Sequence, residues 1–218
     1  RAGGIIPMPE SLTFEEAACL PCAGLTAWTA LVSRGQLRAG QSVLVLGTGG
    51  VSIFATQFAA AIGCSVFATS SSDEKLARAK ELGATHLINY RTTPDWDKAI
   101  WQLTNKQGVD HVIEVGGPGT LEKSIAAVRA GGHIALIGVL TGFGSFNGSL
   151  FPLVAKNATL SGMYVGSRED FLAMNDFISR HGVRPAIDRV FTFDQAAAAF
   201  DYLERGEHVG KVVISIAK

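Results

Sequence analysis

The chain has few cysteines, no excess of either charge and no long apolar run, and each shortage excludes a class of protein. Three cysteines in 218 residues are too few, and odd in number, for a disulfide framework. Lysine plus arginine equals aspartate plus glutamate at 19 each, so nothing favours a nucleic-acid or polybasic membrane surface. No apolar stretch reaches the length of a membrane span, and no segment has signal-peptide architecture. Charged residues make up only 17% and hydrophobic residues 47%, a balance that excludes disorder and supplies a sizeable core. A cytoplasmic enzyme class is the expectation, with a small-molecule substrate and neither nucleic acid nor membrane as partner.

Two local features need reading against this background. Cys19-Leu-Pro-Cys22 spells C-x-x-C, but no second Cys/His pair stands at zinc-ligand spacing. The pair lies within the apolar segment 17–30 and is read as small buried residues. Arg1 stands where an initiator methionine would, so the chain is expected to lack its natural beginning.

What the chain does have is alternation. Apolar strands are predicted at 43–46, 65–69, 86–89, 109–115, 133–137 and 158–165. Helices are predicted at 51–62, 73–82, 96–103, 121–128 and 169–180, with a glycine-rich loop at 141–149. Strands that are apolar on both faces and alternate with helices imply a parallel sheet covered on both sides. After residue 183 the pattern changes to a short strand (189–193), a helix opened by Asp194 and a last strand (211–216). This unit carries Phe191, Phe193 and Phe200, with no evident surface to pack on.

The chemistry concentrates at Ser42-Val-Leu-Val-Leu-Gly-Thr-Gly-Gly-Val-Ser52. An apolar strand runs into Gly47, Gly49 and Gly50 and then into a helix. This matches G-x-G-x-x-G/A except for Ser52, a small residue at the third glycine position. Such a turn brings backbone N–H groups and a helix start up to a pyrophosphate. The adenosine-ribose readout falls about 20 positions after the first glycine. There an acid would exclude a 2′-phosphate, and Ser70 stands instead. Ser70 and Ser71 with Lys75 would accept that phosphate, so NADP(H) is favoured over NAD(H). The lesser alternative is that the serines simply cap the helix opening at Asp73. Glycines after the fourth and fifth strands, Gly116-Gly117 and Gly138, lie where a ligand sits in an open α/β sheet.

These blocks, with Leu25-Thr-Ala-Trp-Thr-Ala-Leu31, Ala79 to Tyr90, Gly108 to Gly116 and Gly210 to Ile214, resemble the medium-chain dehydrogenase/reductase superfamily. The likeness is to its zinc-type alcohol dehydrogenases and quinone reductases. It implies a doubly wound, six-stranded parallel Rossmann sheet at 37–182, preceded by a segment and inter-domain helix at 1–36. The tail at 183–218 would belong to a catalytic domain that is otherwise absent. An exposed apolar surface around Phe191, Phe193 or Phe200 is then expected. The resemblance places Thr26 near the nicotinamide, Gly47, Thr48, Gly49, Gly50 and Val51 on the pyrophosphate, and Asn89 and Tyr90 near the adenosine. It places Gly116, Gly138 and Val139 on the nicotinamide edge and Lys211 by the cofactor cleft. It implies hydride transfer with an alcohol, carbonyl or activated double bond, and a homodimer paired through the edge strand at 158–165.

No catalytic residue and no metal ligand is read in this chain; zinc would enter only through the absent domain. The histidines at 86, 111, 133, 181 and 208 are read as structural or surface residues. Two enzyme rivals fail on residues. Tyr90, Tyr164 and Tyr202 are followed four positions on by Pro94, Arg168 and Gly206, so a short-chain dehydrogenase Tyr-x-x-x-Lys pair is missing. A methyltransferase would place an acid where Ser70 stands. A non-catalytic dinucleotide sensor or scaffold, and a zinc-free quinone or enoyl reductase, stand as alternatives.

Overall fold

The computed structural model describes residues 5–216. Six strands form one parallel sheet: β1 (Ser42–Leu46), β2 (Ser65–Ser70), β3 (His86–Asn89), β4 (Val109–Glu114), β5 (Val128–Leu136) and β6 (Thr159–Gly162). Their order is β3-β2-β1-β4-β5-β6. The order reverses between β1 and β4, so right-handed crossovers put helices on both faces. That explains strands without polar alternation: Val43 to Leu46 are all buried, as are Val66 to Ser70.

The helices carry their own local causes. α1 (Phe14–Ala18) opens on a Thr13/Glu16 capping box. A helical run follows, in which wide π-turns at Leu20–Gly24 and Thr29–Ser33 flank α2 (Leu25–Trp28). α3 (Gly50–Ile62) ends on Gly63 in the left-handed region, φ 93°. α4 (Asp73–Glu81) is capped by the Ser72 hydroxyl, with Asp73 and Glu74 in its first turn and Arg78 and Lys80 in its last. α5 (Trp96–Leu103), α6 (Leu121–Ala127), α7 (Phe151–Lys156) and α8 (Arg168–His181) complete the layers. Trp28 meets Phe58 edge-on at 5.8 Å and tilts over Phe177 at 5.1 Å, which joins α2, α3 and α8 through one aromatic cluster. Among the described residues no helix is long and apolar enough to cross a membrane.

Several expectations are corrected. Helix α6 stops at Ala127 rather than 128, and β5 starts at Val128 rather than 133, running through Gly131 and Gly132. Helix α7, beyond the glycine-rich loop, was not anticipated; it is short, and only Leu153 packs against the core while Phe151 and Val154 are exposed. Strand β6 is four residues long, shorter than 158–165. Cys19 is buried and its thiol contacts the Glu15 carbonyl at 3.3 Å, but Cys22 is exposed. Burial pushes the Cys19 thiol up to about 11.

The tail forms a two-stranded parallel sheet, β7 (Ile187–Thr192) with β8 (Lys211–Ser215), linked through α9 (Ala196–Glu204). Phe193 and Phe200 are each 66% exposed, as expected of an unpartnered face. Phe191 departs from that expectation: it is buried and packs on Tyr202 at 5.9 Å. The tail packs Val183, Val209 and Val213 into the main core and meets the glycine turn after β1 through its backbone. Gly210 N–H donates to the Thr48 carbonyl at 2.9 Å, and Gly49 and Gly210 form a parallel bridge. Gly210 has φ +79°, and a Cβ there would stand 2.3 Å from the Ala186 carbonyl oxygen, so only glycine allows this join.

Candidate functional site

The C-terminal ends of β1 and β4, where the strand order reverses, open into a cleft of about 620 Å³. A second lobe of about 380 Å³ shares its wall at Leu46, Gly47, Tyr90, Val115 and Leu140. Both volumes suit a small-molecule or cofactor site.

The floor is built by the glycine turn. Gly47 sits at φ +72° and its N–H lies 3.4 Å from the Thr69 hydroxyl of β2. Gly49 caps α3 in extended geometry (φ −73°, ψ 178°) and offers no side-chain acceptor. A helix start leaves its first N–H groups without intrahelical partners. Here the ends of Gly50, Val51 and Ser52 are offered to the cleft, and the helix dipole adds positive potential. A Cβ on Gly47 or Gly49 would meet nothing within 4 Å. The glycines therefore leave room that the protein does not fill. Gly50 differs: a Cβ there would lie 2.7 Å from Lys211 Cδ and 3.1 Å from Ala23 Cβ. Ser52 does more than fit the third position. Its buried hydroxyl donates to the Leu46 carbonyl at 2.7 Å and ties α3 to the end of β1.

Most expected residues converge on the cleft. Gly47, Thr48, Gly49, Gly50, Val51, Ser70, Ser71, Lys75, Tyr90 and Gly138 line the larger lobe, and Gly116 lines the smaller. Ser72, not Ser70 or Ser71, caps α4. Lys75 Nζ donates to the Gly206 carbonyl, bringing the tail over this end. No acidic side chain lines the larger lobe.

Four expected residues stand apart from the lining. Thr26 is buried within α2. Asn89 turns away and donates to Asp73 Oδ1 at 2.8 Å while accepting from Arg91 N–H at 3.0 Å. Val139 is exposed next to Gly138, and it is Leu140 that faces both lobes. Lys211 lays its stem against Gly50 without reaching the lining.

The tail supplies lining that sequence reasoning missed: Leu203, Gly206 and His208. His208 is half-buried in the wall of the larger lobe. Its Nδ1 is buried without a hydrogen-bond partner among the described residues. Burial lowers its imidazole pKa; the Asp188 carboxylate pulls the other way, and the Lys75 and Lys211 ammoniums reinforce the burial. The bracketing glycines 206 and 210 were the available signal. In the smaller lobe Trp96, Thr120 and Thr141 were also missed. Among the described residues no three His, Cys, Asp or Glu side chains gather as a metal-ligand group.

The profile described as zinc-binding dehydrogenase matches residues 50–180. A zinc-type alcohol dehydrogenase-like protein of Schizosaccharomyces pombe is 46% identical over 220 residues, covering 99% of this chain and 64% of its own length. A crystal structure of an NAD-dependent alcohol dehydrogenase superposes with TM-score 0.88 at 34% identity, covering 97% of this chain and 62% of that one. The quinone oxidoreductase of Thermus thermophilus, solved also with NADPH, gives TM-score 0.82 at 33% identity, covering 99% and 71%. The chain spans less than two thirds of the curated relative's length.

Proposed function

This chain belongs to the zinc-binding dehydrogenase family, and on that premise we propose that its cleft holds a nicotinamide dinucleotide for hydride exchange. The substrate class is a small alcohol, carbonyl or activated double bond. When bound, the nicotinamide supplies or takes the hydride; this chain's residues bind and orient it. The observation that carries the reading is the α3 start, where Gly49 offers no capping side chain and opens onto unfilled space. A pyrophosphate there would take the first-turn N–H groups. The adenosine end would lie against Ser70, Ser71, Lys75 and Tyr90, and the nicotinamide end against Gly116 and Gly138.

NADP(H) is the preferred form in this reading. Support comes from the cleft's lack of carboxylates and from Lys75 and His208 in its wall. Titration with NADPH and NADH tests it: tighter NADPH binding is expected, and tighter NADH binding contradicts the preference. The chain is expected to bind without turnover, its relatives being longer; reduction of an aldehyde or quinone by the 218-residue chain would overturn that.

The division at 37–182 and 183–218 belongs to the same reading and is supported by Gly182, whose left-handed geometry (φ 63°) ends α8. Three free thiols suit a cytoplasmic setting. Strand β6 ends the sheet and pairs only with β5 among the described residues, so its open edge suits pairing with a second copy. Sedimentation equilibrium should give a dimer; a monomer across the micromolar range would remove that part of the proposal.

A further inference from the structure

Glu114 ends β4 directly behind the smaller lobe, and it is fully buried. Its carboxylate is an acceptor for four donors. Oε1 takes the N–H groups of Gly116 at 2.8 Å and Gly117 at 2.9 Å, and the Thr120 hydroxyl at 2.6 Å. Oε2 takes the Ser124 hydroxyl of α6. Its main-chain carbonyl takes two more, Ile137 N–H at 2.8 Å and Gly138 N–H at 3.2 Å, from the turn after β5. One residue thus holds both turns, the first through its side chain and the second through its backbone.

The two turns also lean on each other. A Cβ at Gly138 would stand 2.1 Å from the Val115 carbonyl oxygen, and one at Gly117 (φ +88°) would stand 3.0 Å from the Gly138 oxygen. Thr141 closes the far side: its N–H and hydroxyl both reach the Gly116 carbonyl at 2.9 Å. The Gly116–Gly117 N–H groups are buried, so removing their acceptor would leave them unsatisfied and release the turn. The Gly47–Ser52 floor of the larger lobe is tied instead through Ser52, Thr69 and Gly210, whereas Val115, Ile137 and Gly138 in its wall share the contacts around Glu114.

We propose that Glu114 is a positioning residue for the nicotinamide end of the cleft: its accepted hydrogen bonds set the Gly116–Gly117 and Gly138 turns against which that end would rest. The inference builds on the proposed dinucleotide reading. It assigns Glu114 an acceptor geometry, not a contact with the ligand. A glutamine can keep it, because its Oε1 still accepts while its amide faces Ser124, whose hydroxyl can turn to accept. An alanine cannot.

The test titrates the 218-residue chain and its Glu114→Ala and Glu114→Gln variants with NADPH and with 2′-phospho-ADP-ribose, which lacks the nicotinamide. Alanine should weaken NADPH about tenfold and leave 2′-phospho-ADP-ribose within about twofold, while glutamine stays within about threefold on both. Amide exchange at Gly116 and Gly117 should quicken in the alanine variant and not in the glutamine one. Equal losses on both ligands, or no loss on either, would overturn the proposal. Should the alanine variant fail to fold, Thr120→Val removes one of the donors and should weaken NADPH two- to threefold with 2′-phospho-ADP-ribose unchanged; unchanged NADPH affinity would overturn the proposal there too. Failure of the unaltered chain to bind either ligand would instead fail the dinucleotide reading itself.

Discussion

Strand β4 carries two carboxylates four residues apart, Asp110 near its start and Glu114 at its end, and they serve opposite purposes. Asp110 accepts from Ser42 N–H at 2.8 Å, Ser42 hydroxyl at 2.7 Å and Gln41 Nε2 at 3.5 Å, and pairs with Arg129 of β5. Each partner comes from a strand beside β4 or from its approach, so Asp110 closes the sheet. Glu114 binds groups that follow it in sequence and shapes a turn that faces open space. One end of the strand is satisfied by the protein alone; at the other, neighbouring backbone is left for a ligand. Strong hydrogen bonding to a buried carboxylate is therefore no sign of a site by itself. What separates the two is whether the groups it positions have space in front of them.

The largest expected effect tests the closed end. Asp110→Ala should lower stability by about 3 kcal/mol, because it removes the acceptor of the Ser42 N–H and hydroxyl together with the carboxylate partner of the part-exposed Arg129. Urea unfolding would measure it, and NADPH affinity of the folded variant should change less than twofold. Burial pushes the Asp110 carboxyl up, but the Ser42 and Arg129 hydrogen bonds outweigh it and hold the group below its usual range. A depressed carboxyl contributes stability above its unfolded pKa that is lost as pH falls through the folded value.

The neighbouring histidine gives a second, pH-dependent effect. His111 is buried and contacts Gln41 Oε1 at 3.3 Å and the His133 ring at 5.8 Å. Burial lowers its imidazole to about 4, and His133 adds to this. The unfolded chain takes up that proton near pH 6.5 and the folded one does not until about 4. Stability is then full above about 6.5 and declines as pH falls between the two values, by about 2 to 3 kcal/mol. His111→Phe should flatten this slope in urea midpoints between about pH 4.5 and 7.5. An unchanged slope would remove His111 from the account.

At the open end the effects should appear in binding. Lys75→Gln should weaken NADPH about tenfold and NADH less than twofold, since only the former carries a 2′-phosphate. Equal losses would place Lys75 elsewhere on the ligand. Smallest is Ser52→Ala, which breaks the bond to the Leu46 carbonyl; about 1 kcal/mol of stability should go, read as a shift in urea midpoint, with affinity falling less than threefold.

The open end was also the more legible in the sequence, because its pattern is local. Val43 to Leu46 and the glycines after them specify strand, turn and helix within a dozen residues, and Gly47 does take the left-handed geometry such a turn needs. Ser70 and Lys75 follow from spacing along the next strand and helix. The contributions from Leu203 and His208 were not legible, since the tail reaches the cleft through contacts distant in sequence, Gly210 with Thr48 and Gly206 with Lys75. Asn89, placed near the adenosine by the resemblance alone, spends its side-chain amide on Asp73, a contact that no local pattern announces. Glu114 was passed over because a single acid before two glycines carries no period. The early start of β5 was hidden by Gly131 and Gly132, which in isolation mark a turn.

Binding of NADPH to a Gly49→Val variant tests the dinucleotide reading most directly. Residue 49 has ordinary extended geometry and open space around its absent Cβ, so the protein itself tolerates the side chain. Stability should move by less than about 1 kcal/mol. The added methyls would occupy the approach to the α3 start, and calorimetric titration should show affinity down at least tenfold. A stable variant that binds NADPH as tightly as the unaltered chain would contradict the account.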